Sequence, residues 1–599
     1  MNALMLELIP LIREGYCCSQ LLVLLVLQQQ GVENPGLVRA AGGLCHGMGQ
    51  SGGACGLLTG GAAALGYLAC KGAAGEAAHP MAEPLINDYA AWFAQHVCTG
   101  GCRDVSCPSI QEKTGGGADM TLCGDLLAEC RFVRRVRDRH DGAPMTPPAR
   151  SLPQATESVC PVCLRRIPAE YVLDPAEEGI PSVLLRKECP EHGVFSVPVW
   201  RGMPDFRSWV RDKTPSHPRH PFVERERGCP FDCGLCPDHA QHTCTGLIEV
   251  TGRCNLRCPV CYASAGEQVA PEPSLERIAF QMDRLRQASG ACNVQLSGGE
   301  PTVRDDLPEI IRMAKARGFA LIQCNTNGLR LGTEPGYAAR LREAGLDSVY
   351  LQCDAADDAA HEILRGRGCL SEKLEAIRAC GEAGIGVVLV ATVAAGVNAD
   401  RLWPLVEMGL RLGAHVRGVH FQPMSSFGRC PWRSDGVPRV TLPEIAAELE
   451  RQSQGQIRWT DFHPPGCENA LCSFSAVYRR SGETLELVQG ASSCCDCGET
   501  PSAAEGARKA KAFAARHWSA PASPAAARGG DAFDRFLASA GIEQRFTVSC
   551  MAFQDAMTLD LERVKGCCIH VVSPSGILIP FCLYNLTSFD GTTLYRGRV

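Results

Sequence analysis

The sequence predicts a multidomain protein with a helical N-terminal domain, a small metal-binding module, a partial barrel of six β/α units and an α+β C-terminal domain. Three observations lead to this prediction. The chain has 599 residues, too many for one compact core. Strand-like apolar runs alternate with amphipathic helices between about residues 245 and 425. The 35 cysteines recur in short, regular spacings before, within and after that region.

Composition divides the chain into six segments. An Ala-, Gly- and Leu-rich helical domain is followed by a Pro-rich linker, a module of short strand-like runs and a short cysteine segment. The barrel and the C-terminal domain come last. An Ala-, Ser- and Pro-rich insertion at about 500–531 predicts a loop or a weakly ordered helix. The segments span 1–140, 141–158, 159–225, 226–245, 246–440 and 441–599.

The alternation of strands and helices predicts a parallel sheet that is closed or partly closed into a barrel. Chemistry is expected at the C-terminal ends of its strands. The predicted strands are 247–251, 293–297, 320–325, 348–352, 387–392 and 415–421. The predicted helices are 274–289, 305–317, 335–344, 371–383 and 400–412.

Composition also excludes some classes of function. A net charge of −6 and 6% aromatic residues give no basis for binding nucleic acid. The apolar run Leu21–Leu27 is short and follows charged residues, which predicts a buried helix face, with no transmembrane segment and no secretory signal. The cysteine spacings favour metal sites over a disulfide framework, so we expect a protein of the reducing cytoplasm.

One cysteine motif predicts a reactive cluster. Cys254, Cys258 and Cys261 form a Cys-x3-Cys-x2-Cys triplet directly after the apolar stretch Gly246–Val250. Three thiolates can hold three irons of a [4Fe–4S] cluster and leave the fourth open to a small chelating ligand. Structural zinc is the alternative, although three cysteines leave zinc one ligand short. These three residues are called the open triplet below.

A second motif has the same spacing, with Cys229, Cys233 and Cys236, but it follows a charged run instead of a strand. Cys244 comes eight residues later. Four cysteines complete the ligand set of a cluster and close it to other ligands. The sequence therefore predicts an auxiliary cluster on these four residues, with structural zinc as the alternative.

The loop Leu296–Pro301 reads Leu-Ser-Gly-Gly-Glu-Pro at the end of the next strand. Together with the open triplet it resembles the radical S-adenosylmethionine (radical SAM) enzymes. The resemblance implies that SAM chelates the open iron, and that its reductive cleavage yields a 5′-deoxyadenosyl radical. It also implies that Gly298, Gly299 and Glu300 line the amino group of SAM.

Two further strand ends, Asn325–Gly328 and Gln352–Asp354, match places where radical SAM enzymes contact the ribose and adenine of SAM. Asn327 and Gln352 are the candidate contacts. Ordinary strand capping is the alternative for both.

Two more metal sites are predicted outside the barrel. The first is a Cys-x2-Cys…Cys-x2-His pattern suited to one tetrahedral ion, either iron as in rubredoxin or structural zinc, although His192 is equally compatible with a core or surface histidine. Its residues are Cys160, Cys163, Cys189 and His192. The second is another auxiliary cluster on Cys467, Cys472, Cys567 and Cys582. Spacing does not decide this set, and the possible replacements are Cys494, Cys495, Cys497, Cys550 and Cys568.

The order of these motifs over residues 156–599 resembles the tetraether-lipid-synthase and pterin-methylase class of radical SAM proteins. The resemblance implies carbon–carbon bond formation at an unactivated carbon, by coupling lipid chains or by methylation. Cys550 and the insertion at 500–531 depart from the pattern of that class.

Residues 1–140 resemble small helical redox-type proteins named for a C-GCAxxG-C-C pattern. The matching stretches are Gly15–Gln20, Gly52–Gly61, Cys98 with Cys102, and Cys123 with Cys130. The resemblance implies a redox-active disulfide or a metal cluster, although buried cysteines also serve as packing residues. Such a domain is a candidate electron donor to the barrel, as are ferredoxin and flavodoxin.

The function expected from these features is radical SAM chemistry on a small molecule or a lipid, ending in carbon–carbon bond formation or methylation. Sulfur insertion from an auxiliary cluster is the alternative reaction. A multi-cluster electron-transfer protein without catalysis is the alternative class, although such a carrier needs neither a SAM loop nor a barrel. No residue is identified as an acid, a base or a radical quencher.

Overall fold

The fold is described from a computed structural model. The described residues are scattered between 14 and 86 and then comprise 152, 154–174, 182–210, 213–218, 221–266, 271–290, 292–432, 436–464, 466–489, 503–519 and 545–598. The chain forms two compact units. One contains residues 1–145, and the other contains residues 146–492, 500–523 and 541–599.

In the first unit, helix α1 (Pro35–Gly42) begins at Asn34, whose side chain accepts a hydrogen bond from the backbone N–H of Leu37 at 3.0 Å. Val38 and Ala41 of this helix are buried against Val23 and Leu27. Cys17 is disulfide-bonded. Most of the predicted N-terminal domain, including Cys98, Cys102, Cys123 and Cys130, lies outside the described residues.

The predicted metal module is a four-stranded antiparallel sheet in the order β1-β2-β3-β4. Alternate residues of β2 and β3 are buried, as expected for a sheet with one face on a core. Trp200 of this sheet packs against helix α2 (Phe206–Trp209). The strands span Gln154–Val159, Arg166–Leu173, Ser182–Cys189 and Gly193–Arg201.

The centre of the second unit is a parallel sheet built from six consecutive β/α steps, as the sequence predicts. Its strands are β5 (Thr245–Thr251), β6 (Asn293–Gly298), β7 (Leu321–Thr326), β8 (Ser348–Gln352), β9 (Gly386–Val393) and β10 (Val416–Pro423). The helices after them are α3 (Leu275–Ser289), α4 (Leu307–Ala316), α5 (Leu329–Thr333), α6 (Tyr337–Ala344), α7 (Asp358–Arg365), α8 (Leu370–Ala383), α9 (Leu402–Arg411) and α10 (Leu442–Gln452). Three short 3₁₀ helices span Pro301–Val303, Ala399–Arg401 and Trp459–Asp461.

The C-terminal residues extend this same sheet, which corrects the prediction of a separate α+β domain over 441–599. The full strand order is β12-β11-β13-β10-β9-β8-β7-β6-β5-β14-β15. Phe546 and Val548 of β13 pack in the same core as Phe421 of β10, so β13 shares the core of the barrel. The added strands are β11 (Ser473–Ser481), β12 (Thr484–Gln489), β13 (Arg545–Met551), β14 (Ile569–Val572) and β15 (Leu578–Pro580).

The remaining helices are α11 (Ala503–Trp518), α12 (Leu561–Lys565) and α13 (Phe581–Tyr584). Helix α11 lies inside the predicted insertion at 500–531. Among the described residues, no helix is both long and apolar enough to cross a membrane.

Candidate active site

One cavity of about 640 Å³ occupies the concave side of the large sheet. The open triplet lines it, as do all five predicted SAM contacts, Gly298, Gly299, Glu300, Asn327 and Gln352. Residues of β5, β6, β8, β9, β10, β11 and β13 line the same cavity, so the sheet curves around it. In the described residues β12 and β15 do not pair with each other, and the barrel is therefore partial.

The glycine loop after β6 is held directly against the segment that leads into the open triplet. The backbone N–H of Gly299 donates to the carbonyl of Thr251 at 2.8 Å, and that of Glu300 donates to the carbonyl of Arg253 at 2.9 Å. Gly298 has a φ of +133°. A Cβ at Gly298 or Gly299 would lie 2.2 or 2.1 Å from those carbonyl oxygens, so only glycine permits this approach.

The Glu300 carboxylate accepts hydrogen bonds from other groups of the protein. It accepts hydrogen bonds from the Thr302 N–H and hydroxyl, from the Thr326 hydroxyl at 2.7 Å, and from the Asn327 N–H at 2.7 Å. Burial raises the pKa of Glu300, and these hydrogen bonds oppose that rise. The side chain therefore positions the end of β7, while Glu300 also lines the cavity.

Asn327 and Gln352 are connected through one buried lysine. Lys373 Nζ on α8 donates to the carbonyl of Asn327 at 3.0 Å and to that of Gln352 at 2.5 Å. The Asn327 side chain also donates to the side chain of Asn255, within the open triplet loop, at 2.7 Å. The ends of β7 and β8 are thus fixed to each other and to the loop. Lys373 gives no recognisable signal in the sequence.

A buried ion pair anchors the same loop from the other side. Arg365 on α7 donates to both carboxylate oxygens of Asp354 at 2.7 Å and to the carbonyl of Val260 at 3.2 Å. Arg429 Nε donates to the carbonyl of Cys258 at 2.7 Å. Both arginines hold the backbone of the triplet loop, and sequence reasoning did not identify either of them.

The sulfur atoms of the open triplet lie in a partly buried setting. Backbone N–H groups of Leu256 and Ala265 donate to Cys254 Sγ and Cys261 Sγ at 3.4 and 3.5 Å. Burial, together with the nearby charges of Glu300, Cys258 and Cys261, raises the pKa of Cys254 to about 11. Three thiols that repel one another as anions suit a cation or cluster, because the metal stabilises all three thiolates at once.

Side chains alternate along the strands that line the cavity. Asn293, Gln295 and Ser297 of β6 face the cavity, while Val294 and Leu296 between them are fully buried in the core. Five residues that line the cavity each carry a buried side-chain oxygen without a hydrogen-bond partner among the described residues. These oxygens are Asn293 Oδ1, Asn325 Oδ1, Glu468 Oε2, Ser473 Oγ and Thr547 Oγ1.

The predicted tetrahedral metal site is assembled in the four-stranded module. Cys160, Cys163, Cys189 and His192 bring their ligand atoms within 4.8 Å of one another. His192 Nδ1 lies 3.6 Å from Cys160 Sγ and 3.4 Å from Cys189 Sγ. Three thiols and one imidazole in this arrangement fit a single tetrahedral ion.

Cys244 does not join the predicted auxiliary set. Its ligand atom lies within 4.8 Å of those of Cys467 and Cys568, and the sulfur atoms of the latter two are 3.1 Å apart. The reason is strand pairing: the Cys244 backbone N–H donates to the carbonyl of Cys568 at 2.8 Å, just ahead of β5 and β14. We call these three residues the floor trio.

Each of the two predicted auxiliary sets therefore loses one cysteine to the floor trio and keeps three. Cys233 interacts with Cys229 and Cys236. The second set loses Cys467 to the floor trio and retains Cys472, Cys567 and Cys582, which line one small cavity. Cys568, left open by the sequence as a replacement, belongs to the floor trio. Cys550 lies in β13, while Cys494, Cys495 and Cys497 lie outside the described residues.

Three family models match the chain. The radical SAM superfamily matches residues 248–409, and the C_GCAxxG_C_C family of putative redox-active proteins matches residues 16–134. The HMPTM N-terminal zinc ribbon domain matches residues 152–201, which contain the assembled Cys160–His192 site.

Curated relatives match over different shares of the chain. The 7,8-dihydro-6-hydroxymethylpterin dimethyltransferase of Methanocaldococcus jannaschii is 32% identical over 489 residues, covering 74% of this chain and 94% of that relative. The mitochondrial GTP 3′,8-cyclase of Arabidopsis thaliana is 32% identical over 29% of this chain and 45% of its own length. The chain thus spans less than half of the cyclase.

Solved structures resemble the chain only locally. Streptococcus suis SuiB bound to its precursor peptide gives a TM-score of 0.31 at 13% identity, over 36% of this chain and 46% of SuiB. Methylornithine synthase (PylB) gives a TM-score of 0.28 at 14% identity, over 36% of this chain and 64% of PylB. From the match to the pterin dimethyltransferase and the three family models, the chain belongs to the radical SAM superfamily, in the family of that dimethyltransferase, and it carries an N-terminal C_GCAxxG_C_C domain.

Proposed function

We propose that the chain removes a hydrogen atom from an unactivated carbon of a small polar heterocycle and directs the resulting carbon radical into carbon–carbon bond formation, as in methylation. The observation that carries this proposal is one cavity among the described residues, whose lumen extends from the open triplet to the floor trio. The dimethyltransferase relative is named for 7,8-dihydro-6-hydroxymethylpterin, which is such a heterocycle.

The open triplet is proposed to hold a [4Fe–4S] cluster, and the loop at Gly298 and Gly299 to receive the amino group of SAM. The bound cluster supplies the electron that splits SAM into methionine and a 5′-deoxyadenosyl radical. The residues of the chain position this event: Glu300 and Lys373 fix the strand ends, and Arg365 holds the triplet loop.

The three remaining cysteine trios are proposed to hold auxiliary clusters or metals. Soft thiolate ligands suit iron–sulfur clusters and zinc. Because the floor trio lines the same cavity as the open triplet, it is the trio best placed to interact with a substrate. The fused C_GCAxxG_C_C domain is proposed as a source of electrons.

The direct test is an anaerobic incubation of the reconstituted protein with SAM, dithionite and 7,8-dihydro-6-hydroxymethylpterin. We expect 5′-deoxyadenosine to form, and the pterin to stimulate its formation and to be consumed. A glycerol dialkyl lipid in place of the pterin should give no stimulation. Stimulation by the lipid and not by the pterin would overturn the proposed substrate class, and absence of 5′-deoxyadenosine from fully reconstituted protein would overturn the proposed reaction.

A further inference from the structure

We propose that helix α11, inside the segment predicted to be an insertion, is the wall that limits the size of the substrate. Residues Ala510, Ala514 and Trp518 of this helix line the cavity. The inference rests on the proposed function, because it concerns the substrate of the same site.

Helix α11 crosses the end of the barrel opposite the open triplet. The triplet follows the C-terminal end of β5, whereas the hydrogen bonds between α11 and the barrel are made near the other ends of the strands. Lys511 Nζ donates to the carbonyl of Ser289, shortly before β6, at 3.1 Å. Arg417, the second residue of β10, donates through Nε to the carbonyl of His517 at 3.0 Å.

Helix α11 packs closely against neighbouring backbone at this end of the barrel. A Cβ at Gly506 would lie 2.0 Å from the carbonyl oxygen of Gly466, so glycine allows the backbones to touch. Cys244 of the floor trio lies with its Sγ 3.7 Å from the carbonyl oxygen of Ala507. The backbone N–H of Ala503 donates to the carbonyl of Thr214 at 2.9 Å. These contacts fix the start of the helix beside the floor trio.

The cavity-facing side of α11 combines two small residues with one large ring. Ala514 is 5% exposed. The Trp518 ring lies 5.3 Å from the ring of Tyr350, and the Tyr350 ring is stacked at 5.7 Å on His420. The helix therefore contributes the third ring of an aromatic cluster whose other members stand on β8 and β10, and it leaves open space at the alanines.

The cavity continues from the open triplet to this end of the barrel. Asn293, the first residue of β6, and Thr547, near the start of β13, line it together with Ala510, Ala514 and Trp518 of α11. A substrate whose reacting carbon lies at the open triplet would extend the rest of its body toward α11, and the side chains of this helix limit the room that it has.

The test compares two alanine-to-tryptophan variants on one helix. Ala514→Trp fills the cavity, whereas Ala504→Trp places the same ring at an exposed position. Binding of 7,8-dihydro-6-hydroxymethylpterin to the holoprotein is measured by equilibrium dialysis with SAM present. We expect Ala514→Trp to weaken binding about tenfold or more, since the added ring would occupy the room that the ligand needs, and Ala504→Trp to leave it unchanged. Far-UV circular dichroism and cooperative thermal unfolding report whether each variant is folded.

If Ala514→Trp fails to fold, Trp518→Ala provides the opposite test. It should admit a dihydropterin with a bulkier substituent at C6 that the unaltered protein excludes. Equal pterin binding by Ala514→Trp and the unaltered protein would overturn the inference, as would failure of the unaltered protein to bind the pterin. Pterin that binds normally but is not consumed would overturn the proposed function alone, because the inference is judged by binding.

Discussion

Replacing Cys258 with alanine is expected to abolish 5′-deoxyadenosine formation and to remove the iron of one cluster, while iron at the other sites remains. Two thiols cannot hold three irons of a [4Fe–4S] cluster, and the remaining cysteine trios have separate positions in the fold. The measurements are 5′-deoxyadenosine by chromatography and iron per chain, both made under anaerobic conditions.

Cys380→Ala is the matched control for this variant. Cys380 is buried in the core on α8, away from every trio. This control should keep its full iron content and full SAM cleavage. Retention of SAM cleavage by Cys258→Ala would show that the open triplet is not the reactive site.

Replacing Arg365 with methionine is expected to lower the free energy of unfolding by about 3–5 kcal/mol, because it leaves the Asp354 carboxylate buried without its charge partner. Asp354 is 2% exposed and accepts two hydrogen bonds from Arg365. The variant also loses the hydrogen bond to Val260 in the triplet loop, so SAM cleavage should fall as well. Anaerobic denaturant unfolding followed by circular dichroism measures the change in stability.

The control is Arg378→Met, which removes an exposed arginine on α8 whose ion pair contributes about 0.5 kcal/mol or less. Adding Asp354→Leu to Arg365→Met should recover part of the lost stability, since it removes the unpaired charge. Equal stability of Arg365→Met and Arg378→Met would contradict this account of the ion pair.

This pair also gives a defined pH dependence. Burial alone raises the pKa of Asp354, but the charge and hydrogen bonds of Arg365 outweigh it and hold the pKa below its usual value. A carboxyl group whose pKa is depressed in the folded state contributes stability above its unfolded pKa of about 4. That contribution to the free energy of unfolding is lost as the pH falls through the lower pKa of Asp354 in the folded state. The Arg365→Met variant should not show this loss.

The barrel and the open triplet were predictable because their signals are local. Cys254, Cys258 and Cys261 stand within eight residues, and each strand and helix of the β/α steps has its own periodicity. The Cys160–His192 site was likewise predictable, since one antiparallel sheet brings its two halves together.

The auxiliary trios were not fully predictable because their members meet through strand pairing. Cys244 is close in sequence to Cys236, yet β5 and β14 place it beside Cys568. The hydrogen bonds between the Glu300 carboxylate and the end of β7 were also not predictable, because they join residues from two different strand ends. The prediction for the segment of helix α11 stayed open between a loop and a weakly ordered helix, because its Ala-rich composition is typical of both, and its packing on the barrel defines it.

The most direct test of the central claim follows hydrogen transfer inside the cavity. The reconstituted protein is incubated anaerobically with SAM, dithionite and saturating 7,8-dihydro-6-hydroxymethylpterin that carries deuterium on its carbon atoms. If the radical formed at the open triplet acts on a heterocycle held in the lumen, the 5′-deoxyadenosine will contain deuterium, detected by mass spectrometry. 5′-Deoxyadenosine that forms at the full rate without deuterium, while the bound pterin stays unchanged, would contradict the account.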